Sequence, residues 1–332
     1  MSEEQSIDRN LALDLVRVTE ASALAAARFM GRGMKNDADG ASVNAMRFAL
    51  ASIDMDGIVV IGEGEKDEAP MLYIGERIGN GRPPEVDIAV DPIDGTRLLA
   101  QGMPNSVSVV ALSERGTMYY APGIVYMDKL AVGPAARGKV DITAPVEDNL
   151  EAIRLAKNTD MSEITVCILD RPRHEELIRR VRAAGARIKL ITDGDVAGSI
   201  MAASPLTTGV DALMGVGGAP EAVISAAAMK CFGGEIQCLL WPRNDEERRQ
   251  AEARKLPLGK VLSTDDLCGD NVFVAITGIT EGELLHGVRY TSTGASTHSL
   301  VMRSRSGTIR SIEAHHRWDK LMQVTNIPYR GA

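Results

Sequence analysis

Two aspartates three residues apart, Asp91 and Asp94, bracket Pro92-Ile93 and run on into Gly95-Thr96. Before them, Val86, Ile88 and Val90 with Ala89 form the β-branched run of a buried strand. Pro92 should stop that strand and bias Asp91 away from helical geometry. Asp91 then sits at the strand's carboxyl end, the edge where open α/β sheets gather ligands. Thr96 to Ala100 can open a helix with Asp94 as its N-cap, and the free N–H groups of that helix would face an anion. Two carboxylates converging beside a helix end are the hard oxygen ligands that Mg²⁺ or Mn²⁺ prefers. The plainer reading of an Asp-Gly step is a turn with a capping side chain. Pro92 and Thr96 at these offsets behind an apolar strand favour the metal.

Other strand ends carry polar clusters of the same kind. The strand expected over 57–61 runs into Gly62-Glu63-Gly64-Glu65-Lys66-Asp67-Glu68, where the glycines let backbone approach a ligand and Glu63 parallels Asp91. Lys35 to Gly40 reads as a polar loop at the mouth of a helix over 41–53, with Asp39 either capping that helix or ligating metal and Lys35 contacting phosphate. Further on, strands over 164–169, 187–191 and 212–216 end in Arg171-Pro172-Arg173-His174, Asp193-Gly194-Asp195 and Gly217-Gly218-Ala219-Pro220-Glu221. Helices fill the gaps between them. This βαβαβα order predicts a mainly parallel sheet with helices on both faces.

The remaining elements frame these clusters. Leu11, Leu15, Val18, Ala25 and Phe29 mark an amphipathic helix that Gly31 and Gly33 end. A helix is expected over 70–77. Short strands over 106–112, 118–120 and 129–132 suggest an antiparallel meander. The Gly-, Pro- and Ala-rich stretch over 133–145 places a domain boundary there. Residues 1–142 then form one domain, which holds most of the candidate metal ligands, and 143–332 a second, α/β domain. Strands expected after residue 270 can join either sheet. His315-His316 lie adjacent on one of them, so they face opposite sides and read as surface histidines.

A length of 332 residues suits about two domains. Hydrophobic residues make up 45% and charged residues 25%, values ordinary for a globular protein. No apolar run reaches the roughly 20 residues of a membrane span, and the acidic, polar N-terminus does not read as a secretory signal. Cys167, Cys231, Cys238 and Cys268 show no Cys-x-x-Cys pairing and read as buried, reduced thiols of a cytoplasmic protein. A net charge of −8 without a basic tract argues against nucleic acid. An acidic protein that holds a phosphorylated substrate needs local positive charge, which two divalent ions can supply.

The Asp-Pro-Ile-Asp-Gly-Thr stretch over 91–96 resembles the signature of the lithium-sensitive, metal-dependent phosphatases. Gly31-Arg32-Gly33, Lys35-Asn36, Ala38-Asp39-Gly40, 59–65, 67–75, 87–96, Pro172-Arg173-His174, Asp193-Gly194-Asp195 and 217–221 together resemble the class II fructose-1,6-bisphosphatases of bacteria. The resemblance spans nearly the whole chain. It implies a layered α/β/α/β/α fold of two domains with the site between them, Mg²⁺ or Mn²⁺ as cofactor, and a homodimer or homotetramer.

The resemblance also implies residue roles. Asp39 and Glu63 match ligands of a first metal, and Asp91, Asp94 and Glu221 those of a second. Asp94 departs from the Glu usual in the family but matches the wider superfamily. Gly95-Thr96 matches the segment that grips the phosphate under attack, and Asp67 with Thr96 would orient and deprotonate the attacking water. Tyr126, Arg171, Arg173, Asp193, Asp195 and Gly218 match contacts to the sugar or distal phosphate, with Pro172 and Gly194 inside the same segments. Met34 stands where an Asp is common. The implied reaction is hydrolysis of the 1-phosphate of fructose 1,6-bisphosphate, with sedoheptulose 1,7-bisphosphate as second substrate. Alternatives from the same residues are an inositol monophosphatase, a nucleotide phosphatase or a non-enzymatic sugar-phosphate sensor.

Overall fold

A computed structural model describes residues 11–62, 72–204 and 208–324. Two long helices come first, α1 (Ala12–Ala26) and α2 (Lys35–Leu50). Then follow β1 (Asp56–Ile61), β2 (Arg77–Ile78), β3 (Glu85–Asp94), α3 (Thr96–Gln101), β4 (Val107–Glu114) and β5 (Tyr126–Val132). The middle of the chain alternates as expected: α4 (Val146–Lys157), β6 (Thr165–Leu169), α5 (Glu175–Ala183), β7 (Arg187–Ile191), α6 (Asp195–Ala203), β8 (Ala212–Gly218), α7 (Ala219–Phe232) and β9 (Glu235–Trp241). After α8 (Asp245–Ala253) and α9 (Thr264–Leu267) come β10 (Phe273–Gly278), β11 (Arg289–Tyr290), β12 (Gly294–Arg303), β13 (Thr308–Arg317) and α10 (Trp318–Val324).

The strands form two sheets. The first runs β11-β12-β10-β4-β3-β1-β2, with β13 on the outer side of β12, so the strands after residue 270 join this sheet. The second runs β7-β6-β8-β5-β9. In it β6 is parallel to β7 and β8, while β5 lies antiparallel to both β8 and β9. The chain thus enters the second sheet at β5, ahead of residue 142, and returns to the first at β10.

Side chains alternate across each strand, and this alternation builds the layers. On β4, Val110 and Leu112 pack with Leu15, Val18, Met46 and Leu50 of α1 and α2, while Val109 and Ala111 face the other way. That opposite face meets α6 and α7, through residues such as Ile200, Val223 and Ala227. The same two helices cover Met127, Cys167, Leu213 and Cys238 of the second sheet. Leu130, Val166 and Met214 point to its far face, against Leu150, Ile153 and Val181 of α4 and α5. The order is α/β/α/β/α, as the resemblance implied.

Several local expectations give way. Lys35 to Gly40 is no loop but the opening of α2, because Ala38, Ser42, Val43 and Met46 bury one helical face despite the poor propensities of Asn, Asp and Gly. Met118 to Tyr120 forms no strand, and the meander is absent because β5 leaves for the other sheet. The described part of the helix expected over 70–77 is turn and strand instead. Pro92 does not end its strand. β3 continues to Asp94 across a register shift, and the hydroxyls of Ser22 and Ser42 donate to the Pro92 carbonyl.

Candidate active site

The carboxyl ends of β3, β6, β7 and β8 and the start of β5 meet at one cavity of about 400 Å³. Antiparallel β5 begins where its parallel neighbours end, so Tyr126 pairs with Gly218 in register. Asp91, Asp94, Gly95, Thr96, Tyr126, Arg171, Arg173, Asp193, Gly194, Asp195, Gly218 and Glu221 all line the cavity. Pro172 does not line it; it opens the short 3₁₀ turn that aims Arg173. Asp39 and Lys35 lie in the first turns of α2, beside the wall formed by Thr96. Glu63 and Asp67 lie outside the described residues.

Asp94 does not cap its own helix. Gly95 is the N-cap of α3, at φ 88° in the left-handed region that favours glycine. The Asp94 carboxylate instead accepts the N–H of Ala197, in the first turn of α6, at 3.0 Å. Asp91 accepts the N–H of Ile93 at 3.1 Å, which closes the bulge around Pro92. Thr96 donates its hydroxyl proton to the Ile93 carbonyl at 3.1 Å and also lies against the Asp39 carboxylate. One hydroxyl proton can serve only one of these acceptors at a time.

The second sheet supplies the arginines. Arg171 donates to the Asp170 and Thr192 carbonyls, at 2.9 and 2.7 Å. Arg173 donates twice to the Val216 carbonyl, at 3.2 and 2.7 Å, and its guanidinium lies 4.8 Å over the Tyr126 ring. The aspartates do not fix the arginines. Asp193 accepts the N–H of Arg97, and Asp195 pairs with Lys129 at 2.7 Å. Backbone carbonyls at or just past the ends of β6, β7 and β8 hold both forks.

Five carboxylates and three guanidinium groups face this cavity, counting Arg97. Burial pushes the Asp94 carboxyl well above its ordinary value, and the charges of Asp195, Glu221 and Asp193 push it further. Glu221 is raised mainly by burial and by Asp195, against the pull of Lys129. Asp39 is also raised by burial, with Thr96 and Lys35 opposing. Asp39 Oδ1 and Glu221 Oε2 are buried without a hydrogen-bond partner. Orphaned carboxylate oxygens among like charges suit a hard cation, so the donor chemistry fits Mg²⁺ or Mn²⁺. Among the described residues no three His, Cys, Asp or Glu side chains stand close enough together to hold one ion.

Sequence reasoning missed Lys129, Arg97 and the anchoring part of His174. His174 accepts the N–H of Val216 at Nε2 (2.8 Å) and meets the Leu169 carbonyl at Nδ1 (2.7 Å), bridging β6 and β8 where their ladder has ended. Lys129 follows Asp128 in β5, and two adjacent charges give no sign by pattern that one of them is fully buried. His315 and His316 lie on β13, half-exposed or exposed, away from the cavity.

The chain matches the family described as bacterial fructose-1,6-bisphosphatase, glpX-encoded, over residues 9–316. It is 46% identical over 333 residues to fructose-1,6-bisphosphatase 1 class 2 of Escherichia coli K12, covering 95% of this chain and 98% of that one. The class 2 fructose-1,6-bisphosphatase of Shigella flexneri matches to the same extent. Among solved structures, the extragenic suppressor protein suhB of Bartonella henselae is 14% identical at a TM-score of 0.34, over 58% of this chain and 73% of that one. That likeness is too slight to carry an argument.

Proposed function

We infer what this site does from one premise: the chain belongs to the bacterial, glpX-encoded fructose-1,6-bisphosphatase family. It is a phosphatase that hydrolyses fructose 1,6-bisphosphate to fructose 6-phosphate and phosphate, a gluconeogenic step. The observation that carries the roles is that one cavity joins carboxylates from the first sheet to guanidinium groups from the second. A sugar with a phosphate at each end spans such a cavity.

The family is metal-dependent. We assign two divalent cations, Mg²⁺ or Mn²⁺, one to Asp39 with Glu63 and the other to Asp91, Asp94 and Glu221, which line one cavity and would have to draw closer together around the ion than they stand here. Bound there, they supply a water of lowered pKa and neutralise charge on the leaving oxygen. Thr96 and Asp67 would orient and deprotonate the attacking water, which adds to phosphorus as the bond to the sugar oxygen breaks. Gly95 and Thr96, with Lys35, hold the phosphate under attack. Arg171 and Arg173 bind the distal phosphate as always-charged forks already fixed by carbonyls. Tyr126, Asp193, Asp195 and Gly218 contact the sugar. Binding at the remote phosphate positions the reacting one. Sedoheptulose 1,7-bisphosphate carries the same two phosphates and is the second substrate we propose.

Release of phosphate from fructose 1,6-bisphosphate, inositol 1-phosphate and a nucleoside monophosphate tests the reading. Efficient hydrolysis of the first alone is expected; preference for either of the others, or no release, overturns it. Thr96→Ala and Asp67→Ala should each lower kcat by about a hundredfold. We place the enzyme in the cytoplasm: its four cysteines are free, and burial pushes their thiols up, to about 12 in Cys167, Cys238 and Cys268. No helix among the described residues is long and apolar enough to cross a membrane. A homodimer or homotetramer is our proposal on the family resemblance, and light scattering on the purified protein tests it.

A further inference from the structure

Lys129 sits in the middle of β5 and is the one fully buried lysine or arginine among the described residues. Its strand neighbours on the same face, Met127 and Ala131, belong to the apolar layer between the sheets. A cation there has no solvent to stabilise it, so its partner decides why it is tolerated. That partner is Asp195, whose carboxylate accepts from Nζ at 2.7 Å. Asp195 opens α6 and lines the cavity, next to Asp94 and Glu221. The backbone makes room for the pair: a Cβ on Gly217 would fall 1.8 Å from the Asp195 oxygen and 3.1 Å from the Lys129 nitrogen.

We propose that Lys129 is a positioning residue for the sugar subsite, an internal counter-ion that holds the Asp195 carboxylate in place against the repulsion of Asp94 and Glu221. Lys129 reaches Asp195 from behind, out of the apolar layer, so it acts on substrate only through that carboxylate. The sugar hydroxyls then meet an acceptor whose position is fixed before they arrive. This inference rests on the assignment of Asp195 to the sugar.

The test is a two-residue cycle on the full-length enzyme with fructose 1,6-bisphosphate: wild type, Lys129→Met, Asp195→Asn and the double variant. In folded Lys129→Met, KM should rise at least about tenfold, the equivalent of about 1.4 kcal/mol, while kcat stays within about threefold. The two single losses should not multiply, so that the double variant matches Asp195→Asn. A KM in Lys129→Met like the wild type's, or losses that multiply, overturns the proposal. Should Lys129→Met fail to fold, the double variant, which buries no lone charge, is compared with Asp195→Asn alone: equal KM supports the positioning role and a further rise overturns it. The wild-type enzyme's own turnover tests the sugar-bisphosphate reading separately. A wild type that turns over the bisphosphate while Asp195→Asn keeps its KM would remove Asp195 from the sugar subsite, and this inference with it.

Discussion

Asp94 Oδ2 accepts the backbone N–H of Ala197 at 3.0 Å. Asp94 ends β3 of the first sheet, and Ala197 lies in the first turn of α6, the helix that leads from β7 to β8 of the second. One hydrogen bond therefore joins the two sheets at the cavity wall. It also satisfies an N–H that the helix leaves without an internal partner. The carboxylate is thus a structural cap and, on the reading above, a metal ligand.

The two duties separate by substitution. Asp94→Asn keeps an oxygen for Ala197 and should retain stability while losing activity by roughly a hundredfold or more. Asp94→Ala should lose the activity and also about 1 kcal/mol of stability, the usual worth of a cap. Urea denaturation beside steady-state kinetics checks both. Full activity in Asp94→Asn would take the residue out of the metal site.

Much of this site was legible because its residues end apolar strands. Val86 to Val90, Ile164 to Leu169 and Ala212 to Val216 are β-branched or aliphatic runs, and each meets a polar cluster that structure brings to one edge. What stayed hidden was set by packing. The weak helix propensity of Lys35 to Gly40 points Asp39 to a loop, and the buried face of α2 overrides it. Local sequence points Asp94 to the start of α3, whereas the helix it caps, α6, arrives from residue 195. Lys129 was hidden by β5, whose alternation carries no hint that one inward position holds a charge.

Glu20 gives a pH dependence that has nothing to do with the cavity. It is buried in α1, accepts from Thr297 at 3.2 Å, and burial raises its pKa from 4.5 to about 7 against the pull of Thr297 and Arg17. Between pH 4.5 and 7 the folded state keeps a proton that the unfolded chain has released. Stability from this group therefore falls as pH rises through that window, by about 3 kcal/mol at most, and stays lower above it. Glu20→Gln should match the parent below pH 4.5 and exceed it above pH 7, read from denaturation midpoints. Equal midpoints above pH 7 would refute the assignment.

Metal removal should abolish activity, and Mg²⁺ or Mn²⁺ should restore it. Asp94 and Glu221 are pushed up by burial and by their neighbours' charges, so a cation that relieves the repulsion should also stabilise the fold. At a hundred times its Kd that gain is about 2.7 kcal/mol, visible as a rise in Tm when Mn²⁺ is added to chelated protein. Full activity after rigorous chelation would contradict the scheme.

His174 holds the strand ends that carry the arginines. Because Nε2 accepts from Val216, Nδ1 carries the proton and donates to Leu169, which fixes a neutral ring. Burial lowers its pKa, in keeping with that form. His174→Ala would leave a buried N–H and a buried carbonyl unpaired, at about 1–3 kcal/mol each. A drop in Tm together with a raised KM for the bisphosphate is expected. Loss of stability with KM unchanged would mean that the bridge does not reach Arg173.

Arg173 tests whether the cavity takes two phosphates. Its guanidinium is already held by the Val216 carbonyl and the Tyr126 ring, so little conformational entropy remains to be lost when a phosphate binds. A surface arginine pair would be worth roughly 0–1 kcal/mol. A preset fork facing a phosphate dianion in a half-enclosed cavity should be worth more, on the order of 1.5–3 kcal/mol for a hydrogen bond to a charged group. Arg173 leaves the 3₁₀ turn past β6, on the sheet opposite Asp91 and Asp94, so its removal does not touch the carboxylates. Arg173→Ala should therefore lower kcat/KM for fructose 1,6-bisphosphate by about tenfold to a hundredfold, while changing that for fructose 1-phosphate much less and leaving the Mn²⁺ concentration for half-activation where it was. Equal losses on both substrates would mean that Arg173 serves the reacting phosphate, or the fold, rather than a second phosphate site.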